Sequence, residues 1–338
     1  MRTLVTAPSS AIDPATNSPR FGSYRGGLPE VDLTAMTGRG VRERLLRELR
    51  HKRWMYVAIA SEDLYIAVAV VRLGYAANAF AFVFDKGRNE MVFDRSSVGP
   101  PFACRVGDKG GAGCVAGYRL GDVRISIARA AGASAYTVEA HMGALNLHAR
   151  LESAAAPPSL TAIAPIPGNL VSTTEKRTLL AVTGDVTLGG RRRSLDGALA
   201  GYDYTNGLLA HHTAWRWGFL LGRATSGERV GLNLVQGFVG EPECGVWVDG
   251  ELYPLAEGRF AFDEADPMHE WHVTTEDGSV DLRFLPGGVH AEKKNFGVVA
   301  SRFIQPVGLY SGTIRVPGRA PLELDRVLGV SEDQDVRW

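Results

Sequence analysis

The sequence predicts an all-β protein: two consecutive antiparallel β-barrels of similar size, with one short helix near the N-terminus. Three observations carry the prediction. From Trp54 onward, short runs rich in Val, Ile, Tyr and Phe recur between Gly, Asp and Asn residues, at the spacing of a barrel or sandwich. Asp249-Gly250 and Asp277-Gly278 stand between apolar runs, the strongest short-range hairpin signal. No long helical periodicity appears after residue 53.

Residues 1–38 read as an irregular arm, interrupted by Pro8, Pro14 and Pro19. Residues 39–53 read as a helix, because Val41, Leu45, Leu46 and Leu49 recur at helical spacing. Arg42, Arg44, Arg47 and Arg50 between them read as a solvated face, since Glu43 and Glu48 interleave. The first barrel follows to residue 165, with strands at Trp54–Ser61, Leu64–Leu73, Ala79–Asp85, Glu90–Arg95, Cys114–Leu120, Val123–Arg129, Ala135–Met142 and Leu145–Leu151. The Pro-rich and Gly-rich stretch over 153–169 reads as a crossover. Residues 166–338 form the second barrel, from Leu179–Leu188 through His211–Arg223 and Arg229–Phe238 to Gly297–Gln305 and Val307–Arg315.

Composition narrows the function classes. Hydrophobic residues make up 45% of 338, enough for a sizeable core. Lys+Arg and Asp+Glu are both 37, so no electrostatic footprint for nucleic acid or an anionic surface is expected. The cysteines Cys104, Cys114 and Cys244 form neither a disulfide framework nor a Cys-x-x-Cys pair, which suits reduced thiols. With no signal-peptide run and no stretch of membrane-spanning length, the expectation is a cytoplasmic protein without a membrane span. Gly-x-Gly-x-x-Gly before a helix, the phosphate-cradling loop, Gly-x-Ser-x-Gly and His-Glu-x-x-His are all missing, so no cofactor is expected. Gly107–Gly113 is glycine-rich, but no helix pattern follows it, so it reads as a loop.

The chemistry concentrates around His211–Phe219. Strand alternation puts His211, Thr213, Trp215, Trp217 and Phe219 on one face. That face is either barrel core or the wall of a cavity for a flat, apolar molecule. The neighbouring strand brings Asn233, able to satisfy an indole N–H or orient a ligand, and Gln236 on its other face. His211 is a candidate general acid or base, because it shares the aromatic face. His211 and His212 point opposite ways and cannot share a metal, and no other metal spacing stands out. Asp203, just before this strand, is either an acid at the pocket or a loop residue bonding its own backbone. Lys293, sharing a face with Asn295, is either an inward cation or a solvated hairpin charge. The acidic run Ser331–Asp335 is a candidate carboxylate site only if the tail is tied down, for which Trp338 is available.

Several of these segments resemble one family. Gly201-Tyr202-Asp203-Tyr204-Thr205, Thr213-Ala214-Trp215-Arg216-Trp217 and Val230-Gly231-Leu232-Asn233 resemble the bacterial domain of unknown function 2804 family. So do Trp247-Val248-Asp249-Gly250, Val280-Asp281-Leu282-Arg283-Phe284 and Gly329-Val330-Ser331-Glu332-Asp333, and more weakly Trp54-Met55-Tyr56. That family is similar in fold to double lipocalin-like (calycin-like) proteins, which include carotenoid 1,2-hydratases and fungal Diels–Alderases. The resemblance implies two barrels and a hydrophobic cavity, but not a reaction. The chain departs from the family pattern where Arg-Glu is expected at His211-His212, Glu at Gln236, Asn at Cys244 and His at Gln334, so no catalytic role carries over to those positions.

The reading that results is a cofactor-independent enzyme on a hydrophobic secondary metabolite (polyene, terpenoid or polyketide). Cyclisation, hydration or isomerisation would take place in a β-barrel cavity. His211, Asp203 and Lys293 are the candidate catalytic residues, and Trp215, Trp217, Asn233, Gln236, Trp247 and Phe219 the candidate binding residues. The alternative is a lipocalin-like carrier with the same pocket and no chemistry.

Overall fold

Alternation of buried and exposed residues along the strands decides how the chain layers. Ala135–Met142, from Tyr136 onward, and Leu145–Glu152 alternate, so one face meets a core and the other meets water. His51–Ala60, Leu64–Arg72 and Ala77–Asp85 are instead buried on both faces. Their alternate residues enter two separate cores. Val57, Ile59, Ile66, Val68 and Val83 fill the first barrel, while Tyr56, Ala58, Phe80 and Phe82 pack against the second half of the chain. The computed structural model describes residues 2–36, 40–295 and 300–338, and the side chains of 294 and 295 lie outside that description.

The protein is all-β, with two consecutive curled, lipocalin-like antiparallel sheets and, among the described residues, one α-helix, Val41–Arg50. The first sheet runs from the edge strand Glu90–Gly99 through Ala77–Asp85, Leu64–Arg72, His51–Ala60, Leu199–Leu208, Leu170–Leu188, Leu145–Glu152, Ala135–Met142, Val123–Ala128 and Val115–Leu120 to Cys104–Val106. The second sheet runs from Glu251–Pro254 through Gly245–Val248, Arg229–Gly237, His212–Arg223, Leu322–Arg337, Ala300–Ile314, Val280–Asn295 and Trp271–Thr275 to Gly258–Ala261.

The change of sheet falls between Leu208 and His212, not at residue 165 as the sequence suggests. Residues 167–169 are a hairpin turn joining Leu160–Ile166 to Leu170–Leu188, with Ile166 opposite Leu170. Pro167 serves the turn, while Pro165 lies in the strand opposite Val171. Leu170–Leu188, Arg191–Ser194 and Leu199–Leu208 therefore belong to the first sheet. The N-terminal arm is also less irregular than its composition implies. Gly22–Arg25 pairs with Leu160–Ile163, and Leu28, Val31 and Leu33 are buried. The helix is three residues shorter at its C-terminus than predicted, because His51–Arg53 start a strand. The expected strand Gly297–Gln305 lies partly outside the described residues.

Gly107–Gly113 is a plug for the first barrel. The hydroxyl of Tyr204 donates to Gly107 O at 2.9 Å and that of Tyr136 to Gly110 O at 2.8 Å. A Cβ on Gly110 would sit 2.7 Å from the Tyr204 ring, so only glycine fits there.

Candidate functional site

The aromatic face predicted around Trp215 exists, and it looks out of the second sheet onto the first. Trp215 stacks on Trp54 with ring centroids 6.1 Å apart, and Trp217 meets Tyr56 edge-on at 5.3 Å. Between the two sheets, in neither barrel's lumen, is a cavity of about 120 Å³. That is the scale of a single aromatic ring. The first sheet contributes Trp54, Tyr56, Phe80, Lys176 and Asp203, and the second sheet and its connections contribute Trp215, Trp217, Glu243, Gln305 and Glu332. Trp54, Trp215, Phe238, Phe303 and Trp338 line it and are only half-buried, so the cavity opens to solvent on their side.

Two polar clusters stand in these apolar walls. In one, the ammonium of Lys176 is 2.6 Å from Asp203 Oδ2 and 3.1 Å from Glu243 Oε2, and all three side chains are nearly inaccessible. Lys176 and Asp203 are opposite each other on adjacent strands of the first sheet, while Glu243 reaches in from the turn before Gly245–Val248. Burial works against the Lys176 charge, but the two carboxylates hold it on, above the ordinary lysine range. Burial also pushes the Glu243 carboxyl upward, against the pull of Lys176.

In the other cluster, Glu332 accepts a hydrogen bond from Trp215 Nε1 at 2.7 Å and one from Gln305 Nε2 at 2.6 Å. Burial pushes this carboxyl up to about 7, although both donors favour its ionised form. Glu332 is thus a fully buried carboxyl, pushed upward by burial, in the cavity wall. Two acceptors on the walls, Asp203 Oδ1 and Gln305 Oε1, have no donor among the described residues.

Asp203, Trp215 and Trp217 come together here. Asn233 stands behind them. Its Oδ1 accepts from Trp217 Nε1 at 2.8 Å, and its Nδ2 donates to Glu243 O at 2.8 Å, so it orients one wall without lining the cavity. The other predicted residues stand elsewhere. His211 is exposed in the bend before His212–Arg223, where its carbonyl takes the Trp338 N–H. Lys293 is exposed opposite Arg302, on the solvent side of its hairpin. Its expected partner Asn295 lies outside the described side chains. Gln236 faces the second barrel's interior, where Oε1 accepts the Phe260 N–H. Trp247 is fully buried and donates to Pro158 O, and Phe219 packs against Gly201.

The residues that sequence reasoning missed are Lys176, Glu243, Gln305 and the Trp54–Tyr56 wall. Glu332 lies within the acidic run, but in a different setting from the one expected. Residues 322–337 are a central strand between His212–Arg223 and Ala300–Ile314, not a tail. Trp338 does tie the end down, with Nε1 donating to Thr213 Oγ1 at 2.8 Å.

Comparison with solved structures supports the architecture. The crystal structure of CghA with Sch210972 superposes with a TM-score of 0.56 at 14% identity, covering 85% of this chain and 88% of that one. An AttH protein from Nitrosomonas europaea superposes with a TM-score of 0.51 at 12% identity, covering 84% and 92%. Kievitone hydratase from Nectria haematococca gives 0.48 at 11% identity, covering 89% and 93%. At these identities the likeness is one of fold. No curated protein sequence matches. The model of the domain of unknown function DUF2804 matches residues 3–338, and the chain belongs to that family.

Proposed function

We propose that the protein is a cofactor-independent enzyme that binds a hydrophobic metabolite between its two sheets and catalyses hydration, cyclisation or isomerisation by proton transfer through Glu332. The observation that carries this reading is a buried carboxyl in the wall of an aromatic cavity, reached only by the N–H groups of Trp215 and Gln305 among the described residues and pushed upward by burial. Structural carboxylates are ordinarily kept ionised by a directly paired cation, whereas Glu332 is hydrogen-bonded by two neutral donors and raised by burial, a setting that suits a proton carrier.

In the proposed reaction, Glu332 gives its proton to a carbon of a substrate double bond, and the π-electrons form the new C–H bond. The resulting cation faces the indoles of Trp215 and Trp217, whose π-faces attract positive charge. Three ends are open to it. Water adds and returns a proton to Glu332 (hydration). A second double bond of the same molecule adds, and a C–H next to the new cation then yields its proton to the Glu332 carboxylate, its electrons forming the product double bond (cyclisation). Or a C–H next to the first cation yields its proton to the Glu332 carboxylate directly, its electrons forming the shifted double bond (isomerisation). The cavity holds about one ring, so it takes the reacting part of a larger molecule and fixes its geometry.

The test is capture followed by turnover. The purified protein is saturated with a solvent extract of the cells that produce it, and bound compounds are identified by native mass spectrometry. Each is then incubated with wild type and with Glu332→Gln. The expected result is a compound that wild type converts, and that Glu332→Gln binds but leaves unchanged. Conversion at the wild-type rate by Glu332→Gln overturns the proton-carrier assignment. A compound bound and returned intact by both proteins makes this a carrier.

A further inference from the structure

The electrostatics of the cavity say more about its ligand than its shape does. Among the described lining residues, three carboxyl groups, those of Asp203, Glu243 and Glu332, face a single basic side chain, Lys176. Lys176 is already engaged on two sides. Asp203 Oδ1 and Gln305 Oε1 are buried acceptors without a donor, on residues 8% and 1% exposed. A buried acceptor left unpaired is costly, so a ligand that supplies N–H groups gains from both. Around them stand the rings of Trp54, Phe80, Trp215 and Trp217. Lys176 Nζ lies 6.0 Å from the Trp217 ring centroid, so that face already meets positive charge.

We infer that the cavity selects positive charge: its preferred ligand class is an organic ammonium ion on a ring-sized apolar body, with N–H groups directed at Asp203 and Gln305. An anionic ligand would meet surplus carboxylate without a free cation to answer it. A neutral hydrocarbon would leave both acceptors unpaired. The inference rests on the reading of this cavity as the ligand site and deepens it. A site built for a resident cation is also one that stabilises a cation formed during reaction, and it disfavours enolate or oxyanion chemistry.

The test compares three isosteric probes at pH 7.5 by isothermal titration calorimetry: benzylammonium, benzyl alcohol and benzoate. Wild type is expected to bind benzylammonium about tenfold more tightly than benzyl alcohol, with benzoate weakest. Asp203→Asn is expected to bring the two Kd values within about threefold while benzyl alcohol still binds. If Asp203→Asn does not fold, the three wild-type affinities decide alone. Benzyl alcohol or benzoate binding as well as benzylammonium overturns the inference and leaves the cavity reading intact. No binding by any probe overturns the cavity reading itself, and this inference with it.

Discussion

Replacing Lys176 with methionine removes the one cation that Asp203 and Glu243 share. The side chain is 3% exposed, and its partners are 11% and 4% exposed, so water does not take over its role. Breaking a buried ion pair by deleting one partner costs about 3–5 kcal/mol, because the remaining charge is stranded. Methionine keeps the apolar stem packed, so the loss reports on charge and not on volume. The sign of the pH dependence follows from the stranded carboxyls. Without Lys176, burial acts on Glu243 without that opposing pull and raises its carboxyl further above the ordinary range. The folded variant then holds protons that the unfolded chain releases, so its stability falls as pH rises from about 4 toward 7. Urea unfolding of wild type and Lys176→Met at pH 5.0 and 7.5 measures the difference. The expected deficit is about 3 kcal/mol or more at pH 7.5 and smaller at pH 5.0. A deficit below about 1 kcal/mol at pH 7.5, or one that does not shrink on acidification, means that Lys176 does not hold the two carboxylates as described.

Glu332→Gln is expected to flatten part of the pH dependence of stability: the folded carboxyl at about 7 against an ordinary 4.5 means wild type loses stability as pH rises through that window, and glutamine does not. For any substrate that Glu332 protonates, kcat/KM is expected to fall above about pH 7, and Trp215→Phe, which removes one donor to the carboxylate, is expected to move that limb to higher pH. Asn233→Leu strands the Trp217 N–H and the Glu243 carbonyl, and a loss of about 2–4 kcal/mol is expected in chemical unfolding. Gly231→Ala places a Cβ 2.3 Å from Thr178 Oγ1, where the two sheets meet, and is expected to cost about 1–3 kcal/mol and lower the Tm.

Local patterns carried most of the fold. Alternation and Asp-Gly turns located the strands, since each is decided within a few residues. The boundary between the sheets was not legible, because Pro165 and Pro167 look alike in a hairpin and in a crossover. What separates the two is whether the next strand pairs with its predecessor, a long-range fact. The aromatic wall was legible for the same reason as the strands: Trp215 and Trp217 share a parity. His211 was misread because the parity argument holds only inside a strand, and the strand begins one residue later. Lys293 was left with two alternatives because alternation gives two faces and does not say which is wet; it is the solvated one. Lys176 and Glu332 were hidden among ordinary charged neighbours. Glu175 and Lys176 point into different cores, and Ser331–Gln334 is buried only because strands pair on both sides of it.

The most direct test of the account is the ionisation of Glu332 itself. Protein labelled with ¹³C at the glutamate side-chain carboxyl, titrated by NMR from pH 4 to 9, resolves it, and Glu332→Gln assigns the resonance by its disappearance. The expected result is a carboxyl that titrates near 7, well apart from the exposed glutamates. A Glu332 resonance that titrates with those glutamates, near 4.5, contradicts it: the cavity would then hold an ordinary carboxylate and no proton to give.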